Sequence, residues 1–145
     1  MLVDQTLKDL LQLCADVQDG LWEAAAHAGQ EPLPALFQAD AVQWNGFADR
    51  LFPLLLELDH TSPEAQWKAD PNRSWMNAGA SDELDDLAIC DQCLRGLEQA
   101  QDRLRRAATV GEPRVRRAVI DQLNASVEQM AQLHQFVSEE DRRAV

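Results

Sequence analysis

The sequence predicts an all-α fold, one bundle of four long helices. Three observations carry that reading. Apolar residues return every three and four positions in four separate stretches, the repeat of a helix with one buried face. Between these stretches lie glycine, proline and short polar residues, the usual punctuation of helical chains. No Gly-rich phosphate loop, strand alternation or repeat period appears anywhere. The 145 residues, 46% of them hydrophobic, suit a single domain, 1–145, with one core.

The first helix spans about 3–28. Leu7, Leu10, Cys14, Val17, Leu21 and Ala24 form its inner stripe, and Gly29 and Pro32 stop it. His27 in the last turn suits the negative end of the helix dipole. The second helix spans about 33–59. Phe37, Trp44, Phe47, Leu51, Leu54 and Leu58 mark its inner face, widened by Leu36, Val42 and Leu55. Pro53 removes a backbone donor and should bend it near 49–53. A split at Pro53 is the rival reading, but the apolar spacing continues in phase across the proline.

The third helix fits 82–108, with Leu84, Leu87, Asp91, Leu94, Leu97 and Leu104 inward. Ser81, Asp82, Glu83, Asp85 and Asp86 place caps and negative charge at its start. A short turn containing Gly111 and Pro113 leads to a fourth helix, about 114–137. Val115, Val119, Leu123, Met130, Leu133 and Val137 face inward there, and 138–145 read as a polar, frayed tail.

Connection lengths suggest the topology. Helices 1–2 and 3–4 are joined tightly, as antiparallel hairpins. The crossover 60–81 is long enough to run the length of the bundle, with Trp67, Trp75 and Met76 as packing anchors. Two hairpins and one long crossover make a ferritin-like four-helix bundle.

Bulk charge excludes several function classes. The formal net charge is -12. It disfavours nucleic-acid binding and anionic membranes. No stretch reaches the roughly 18 to 20 apolar residues that span a bilayer. The N-terminal residues lack a basic region followed by an apolar run, so a cytoplasmic location is expected. Three cysteines, an odd number, argue against a disulfide framework. The charge is also uneven: residues 1–60 carry -8, residues 61–100 carry -5 and residues 101–145 carry +1.

Several segments resemble a small bacterial family of ferritin-like four-helix proteins, a domain of unknown function. They are Asp16-Val17-Gln18-Asp19-Gly20 with Trp22-Glu23-Ala24-Ala25, and the run from Leu36-Phe37 through Phe47-Ala48. The crossover segment Arg73-Ser74-Trp75-Met76-Asn77 and the helix 4 pattern Ile120-Asp121-Gln122-Leu123, ending near Met130 to Phe136, add to them. The resemblance covers nearly the whole chain. It implies the fold and carries no established reaction.

A dinuclear ferritin-like metal site needs two inward glutamates and two Glu-x-x-His pairs. This chain departs from that pattern. Its single Glu-x-x-His is Glu57-Leu58-Asp59-His60, where the phase of Leu58 turns Glu57 outward. Ala131 precedes His134 at three residues, and Ala24 precedes His27. An incomplete set for iron or zinc remains: Glu23, Glu57, His60 and Asp91. Asp91 falls between Leu87 and Leu94, Asp40 falls between Phe37 and Trp44, and Glu98 borders the inner face of helix 3. A buried carboxylate must be paired, hydrogen-bonded, protonated or bound to an ion. Asp19 and Glu23 form an acidic i,i+4 pair, best read as a solvated face.

Cys90 and Cys93 form a Cys-x-x-Cys, a redox or zinc half-site in principle. Its mid-helix position, far from a helix N-terminus, favours core packing. Arg103, Arg105, Arg106, Arg114, Arg116 and Arg117 straddle the turn between helices 3 and 4. The last three sit at a helix N-terminus, where the dipole opposes them, so an acidic partner is expected. Glu112, Asp121 or residues 1–60, of this copy or another, are the internal choices. Arg103, Arg106, Arg114 and Arg117 are the candidate contacts to an acidic protein. No complete catalytic constellation and no resident cofactor emerge. The expectation is a non-catalytic protein acting by interaction or as a homo-oligomer such as a dimer, with iron or zinc binding as the alternative.

Overall fold

A computed structural model of the chain describes residues 2–58 and 85–143. The described residues form four helices and no strand: α1 (Leu2–His27), α2 (Leu33–Leu58), α3 (Asp86–Ala107) and α4 (Pro113–Arg143). The crossover 60–81 with Trp67, Trp75 and Met76, and also Leu84 and His60, lie outside the described residues. No described helix is long and apolar enough to cross a membrane.

The helices pack in a ring. α1 lies mainly against α2, α3 lies against α4, and further contacts join α1 to α3 and α2 to α4. Leu7, Leu10, Cys14, Val17, Leu21 and Ala24 are all buried, so the spacing in α1 is read correctly. On α2 the buried set is Leu33, Phe37, Asp40, Ala41, Trp44, Phe47, Leu51 and Leu55. α2 runs unbroken through Pro53, because its phase carries the apolar stripe to Leu55. Val42 is a correction: it is 62% exposed and stands on the outer face.

α3 departs most from expectation. Its N-cap is Asp85, whose carboxylate accepts from the Ala88 N–H at 2.8 Å, and the helix begins at Asp86. The expected start at 82 lies outside the described residues. The buried stripe runs through Ile89, Cys90, Cys93, Leu97, Ala100 and Leu104. Leu87 and Asp91 therefore turn outward, against the expected register. Both stripes share Leu97 and Leu104; the small residues Cys90, Cys93 and Ala100 decide between them by fitting close helix packing.

α4 continues six residues past its expected end at 137. The segment expected to fray is held by polar ties. Arg143 pairs with Glu140 at 2.9 Å, Gln135 donates to Glu139, and Gln30 of the α1–α2 turn donates to Glu140 at 2.9 Å. Arg142 and Arg143 also suit the helix C-terminus.

Gly46 lies on the outer face of α2, and a Cβ added there meets nothing within 4 Å. Its φ is not positive, so alanine fits the backbone. Gly46→Ala is expected to stabilise the fold by about 1 kcal/mol through helix propensity, measured by urea denaturation.

Candidate functional site

The interior holds a layer of side-chain amides. Gln43 and Gln122 exchange two hydrogen bonds, at 2.6 and 2.7 Å. Gln129 donates to Gln43 Oε1 at 2.9 Å and accepts from the Trp44 indole N–H at 3.0 Å. Between Gln122 and Gln129 on α4, Gln101 donates to the Ser126 hydroxyl at 3.0 Å, and Ser126 donates to the Leu123 carbonyl. Gln101, Gln122, Ser126 and Gln129 are all buried. The sequence reading missed this layer. Its signal was positional: Gln122, Ser126, Gln129 and Leu133 continue the spacing of Val115 and Val119.

Asp40 occupies the inner face of α2, as its place between Phe37 and Trp44 suggests. It is 5% exposed, and its Oδ2 has no hydrogen-bond partner. Burial raises its carboxyl from 3.8 to about 7. Its charge also acts on Cys93.

The cysteines are free and buried. Burial pushes Cys14 and Cys90 up to about 12, and Cys93 is raised by burial and then by Cys90 and Asp40. A thiol held far above its ordinary range carries little thiolate at neutral pH, which opposes a thiol switch at Cys90 and Cys93. All three thiols are expected to resist an aromatic disulfide reagent in the native protein and to react together after denaturation. A fast-reacting thiol in the folded state would overturn this reading.

His60 lies outside the described residues, and the other metal candidates, Glu23, Glu57 and Asp91, each have a different neighbour. Glu23 lies 3.5 Å from His27. Glu57 is exposed and bound to Arg114 through both oxygens, at 3.0 and 2.8 Å. Asp91 pairs with Arg95 at 3.0 Å on the surface, a correction that follows from the register of α3. Among the described residues no three His, Cys, Asp or Glu side chains gather at one point. Glu98 and His134 are exposed. Burial, together with Glu23 and Asp16, raises the Asp19 carboxyl, so the acidic pair on α1 does feel its own repulsion.

The arginine end resolves into two groups. Arg114 is held internally by Glu112 and Glu57: its hydrogen bonds lower the Glu112 carboxyl, and the two carboxylates raise the guanidinium. Two of the expected acidic sources, Glu112 and residues 1–60, thus serve Arg114, while Asp121 pairs instead with Arg50 at 2.9 Å. Arg105 pairs with Asp102. Among the described residues Arg103 and Arg106 reach only backbone carbonyls, of Asp9 at 3.5 Å and of Asp102 at 3.4 Å. Arg116 and Arg117 are exposed and have no carboxylate partner among the described residues. Arg103 and Arg106 also line an open groove of about 300 Å³ with Thr6, Asp9, Leu10 and Ala107.

No family model, curated protein or solved structure matches the chain.

Proposed function

We propose that the protein is a non-catalytic, ferritin-like helical bundle that works by association, with a second copy of itself and with an acidic protein surface. The topology is supported by contacts that climb one helix while descending its neighbour. Gly29 and Gln30 meet Asp86 while Arg103 meets Asp9, and Arg114 meets Glu57 while Trp44 meets Gln129. α1 and α3 are then opposed, as are α2 and α4. Short turns join α1 to α2 and α3 to α4, which supports reading each pair as an antiparallel hairpin.

One observation carries the associative reading. In a chain with 25 Asp and Glu, four guanidiniums at one region, Arg103, Arg106, Arg116 and Arg117, have no carboxylate among the described residues. Unspent positive charge on an acidic molecule steers encounter with acidic surfaces, its own included. The test is sedimentation across a concentration series at low and high salt, beside binding to immobilised polyglutamate. Both associations should weaken as salt rises. A strict monomer at high concentration and low salt, with no retention on polyglutamate, would sink the reading.

A further inference from the structure

We propose that Asp40 is a pH-sensitive latch. When it loses its proton, the α1–α2 pair parts from the α3–α4 pair at the end of the bundle where Asp40 sits, and the buried Cys93 thiol is uncovered. This device is independent of the associative reading above.

Asp40 belongs to α2 and Cys93 to α3, on opposite sides of the division between the two pairs. Both are buried, and the Asp40 charge is felt at the Cys93 thiol. Asp40 Oδ2 has no hydrogen-bond partner among the described residues. A carboxyl so placed is tolerated as the neutral acid, and its anion requires water or a cation. Parting the two pairs is the change that lets water in.

No buried cation offsets an ionised Asp40 among the described residues. The other ionisable groups on the buried faces are Cys14 and Asp16 of α1 and Cys90 and Cys93 of α3, and the buried face of α4 carries none. Nearer the surface, Asp19 and Glu23 of α1, Asp86 of α3, and Glu139 and Glu140 of α4 are half-buried acids. His27, also half-buried, lies 3.5 Å from Glu23. Lys8 and Arg103 are half-buried at the opposite end, where Arg103 meets the Asp9 carbonyl.

The opening stays local. On one side Asp40 is bounded by the amide layer, because Trp44, one turn on, donates to Gln129 of α4. On the other side the ties are exposed. Asp86 accepts from the Gly29 and Gln30 N–H groups at 2.9 Å, and Gln30 donates to Glu140. Water readily replaces exposed hydrogen bonds, so this end yields before the rest. Cys14 lies beyond the amide layer, beside Asn45 and Ala48, and stays covered.

The sign follows from the proton. The closed form keeps the Asp40 proton and the open form releases it. Opening is therefore favoured as pH rises, by up to about tenfold per unit, until the closed form itself ionises at about 7.

The experiment labels the native full chain and Asp40→Asn with a pyridyl disulfide from pH 5 to pH 8.5. Circular dichroism confirms each fold, and peptide mass spectrometry assigns each thiol. Cys93 should react slowly throughout, because only the open form is accessible. Relative to Asp40→Asn, its rate should rise at least about tenfold between pH 5 and pH 7 and change little above pH 8, with Cys90 following. Cys14 should show no such rise, so the ratio of Cys93 to Cys14 rates in the wild type alone should climb over the same interval. A Cys93 ratio that stays flat with pH overturns the latch. A rise shared equally by all three thiols overturns it as well, because the whole bundle is then opening.

Discussion

Trp44→Ala should destabilise the fold by about 3–5 kcal/mol, the largest loss expected from any single truncation in α2. Trp44 is fully buried, with its ring edge-on to Phe47 at 5.9 Å and 74°. Truncation leaves a cavity in close-packed surroundings. It also strips Gln129 Oε1 of the indole donor in a buried setting, an added cost of about 1–3 kcal/mol where no water replaces it. Trp44→Phe separates the two effects, because it keeps most of the ring volume and removes the N–H. Urea denaturation of both variants measures the difference. A loss below about 1 kcal/mol for Trp44→Ala would show that the core collapses around the gap. Domains of this kind have about 5–15 kcal/mol in all, so the full loss brings the protein near its unfolding threshold.

Asp40 gives the second large effect, and its sign depends on pH. Its carboxyl titrates near 3.8 when unfolded and at about 7 in the fold. Between these values the folded protein keeps a proton that the unfolded chain has released. Stability therefore falls as pH rises through this window and levels off above about 7. The accumulated cost above pH 7 is on the order of 4 kcal/mol, at about 1.4 kcal/mol per pKa unit. Asp40→Asn removes the titration while keeping the shape. It should be markedly more stable than wild type at pH 8 and similar near pH 4. Denaturation curves at pH 4, 6 and 8 check this, and parallel pH profiles for the two proteins would refute it.

Much of this architecture is legible in the residues because α1 and α2 carry large apolar side chains at helical spacing, with Val42 the one inner-face assignment on α2 that the fold turns outward. Leu7 through Ala24 and Phe37 through Leu51 allow one buried face each. α3 is harder. Leu87, Asp91 and Leu94 make a plausible stripe, and the true one depends on Cys90, Cys93 and Ala100, whose small volume matters only once neighbouring helices are in place. The end of α4 was missed because its polar residues look like a tail until Gln30 of a distant turn meets Glu140.

The candidate sites show the same division. Charge counting located the arginine region, and helical phase placed Asp40 inward. Pairing was out of reach: Glu57 holds Arg114 from 57 residues away, and Arg95 claims Asp91 once α3 rotates. The amide layer continues the buried spacing of α4 and was passed over for a plain reason. Hydropathy assigns glutamine to the surface, and only a matching set on a facing helix makes it tolerable inside.

That layer also constrains how the bundle can move. Gln43 meets both Gln122 and Gln129, and Trp44 meets Gln129, so α2 is tied to α4 at two successive heights. Shifting α2 along α4 by one turn, about 5.4 Å, would strand these groups in an apolar interior. Sliding is therefore costly at every intermediate position, while parting the two helices lets water replace the lost partners. The bundle should yield by opening along the α2–α4 seam, and shear between these helices should be absent from its low-energy motions.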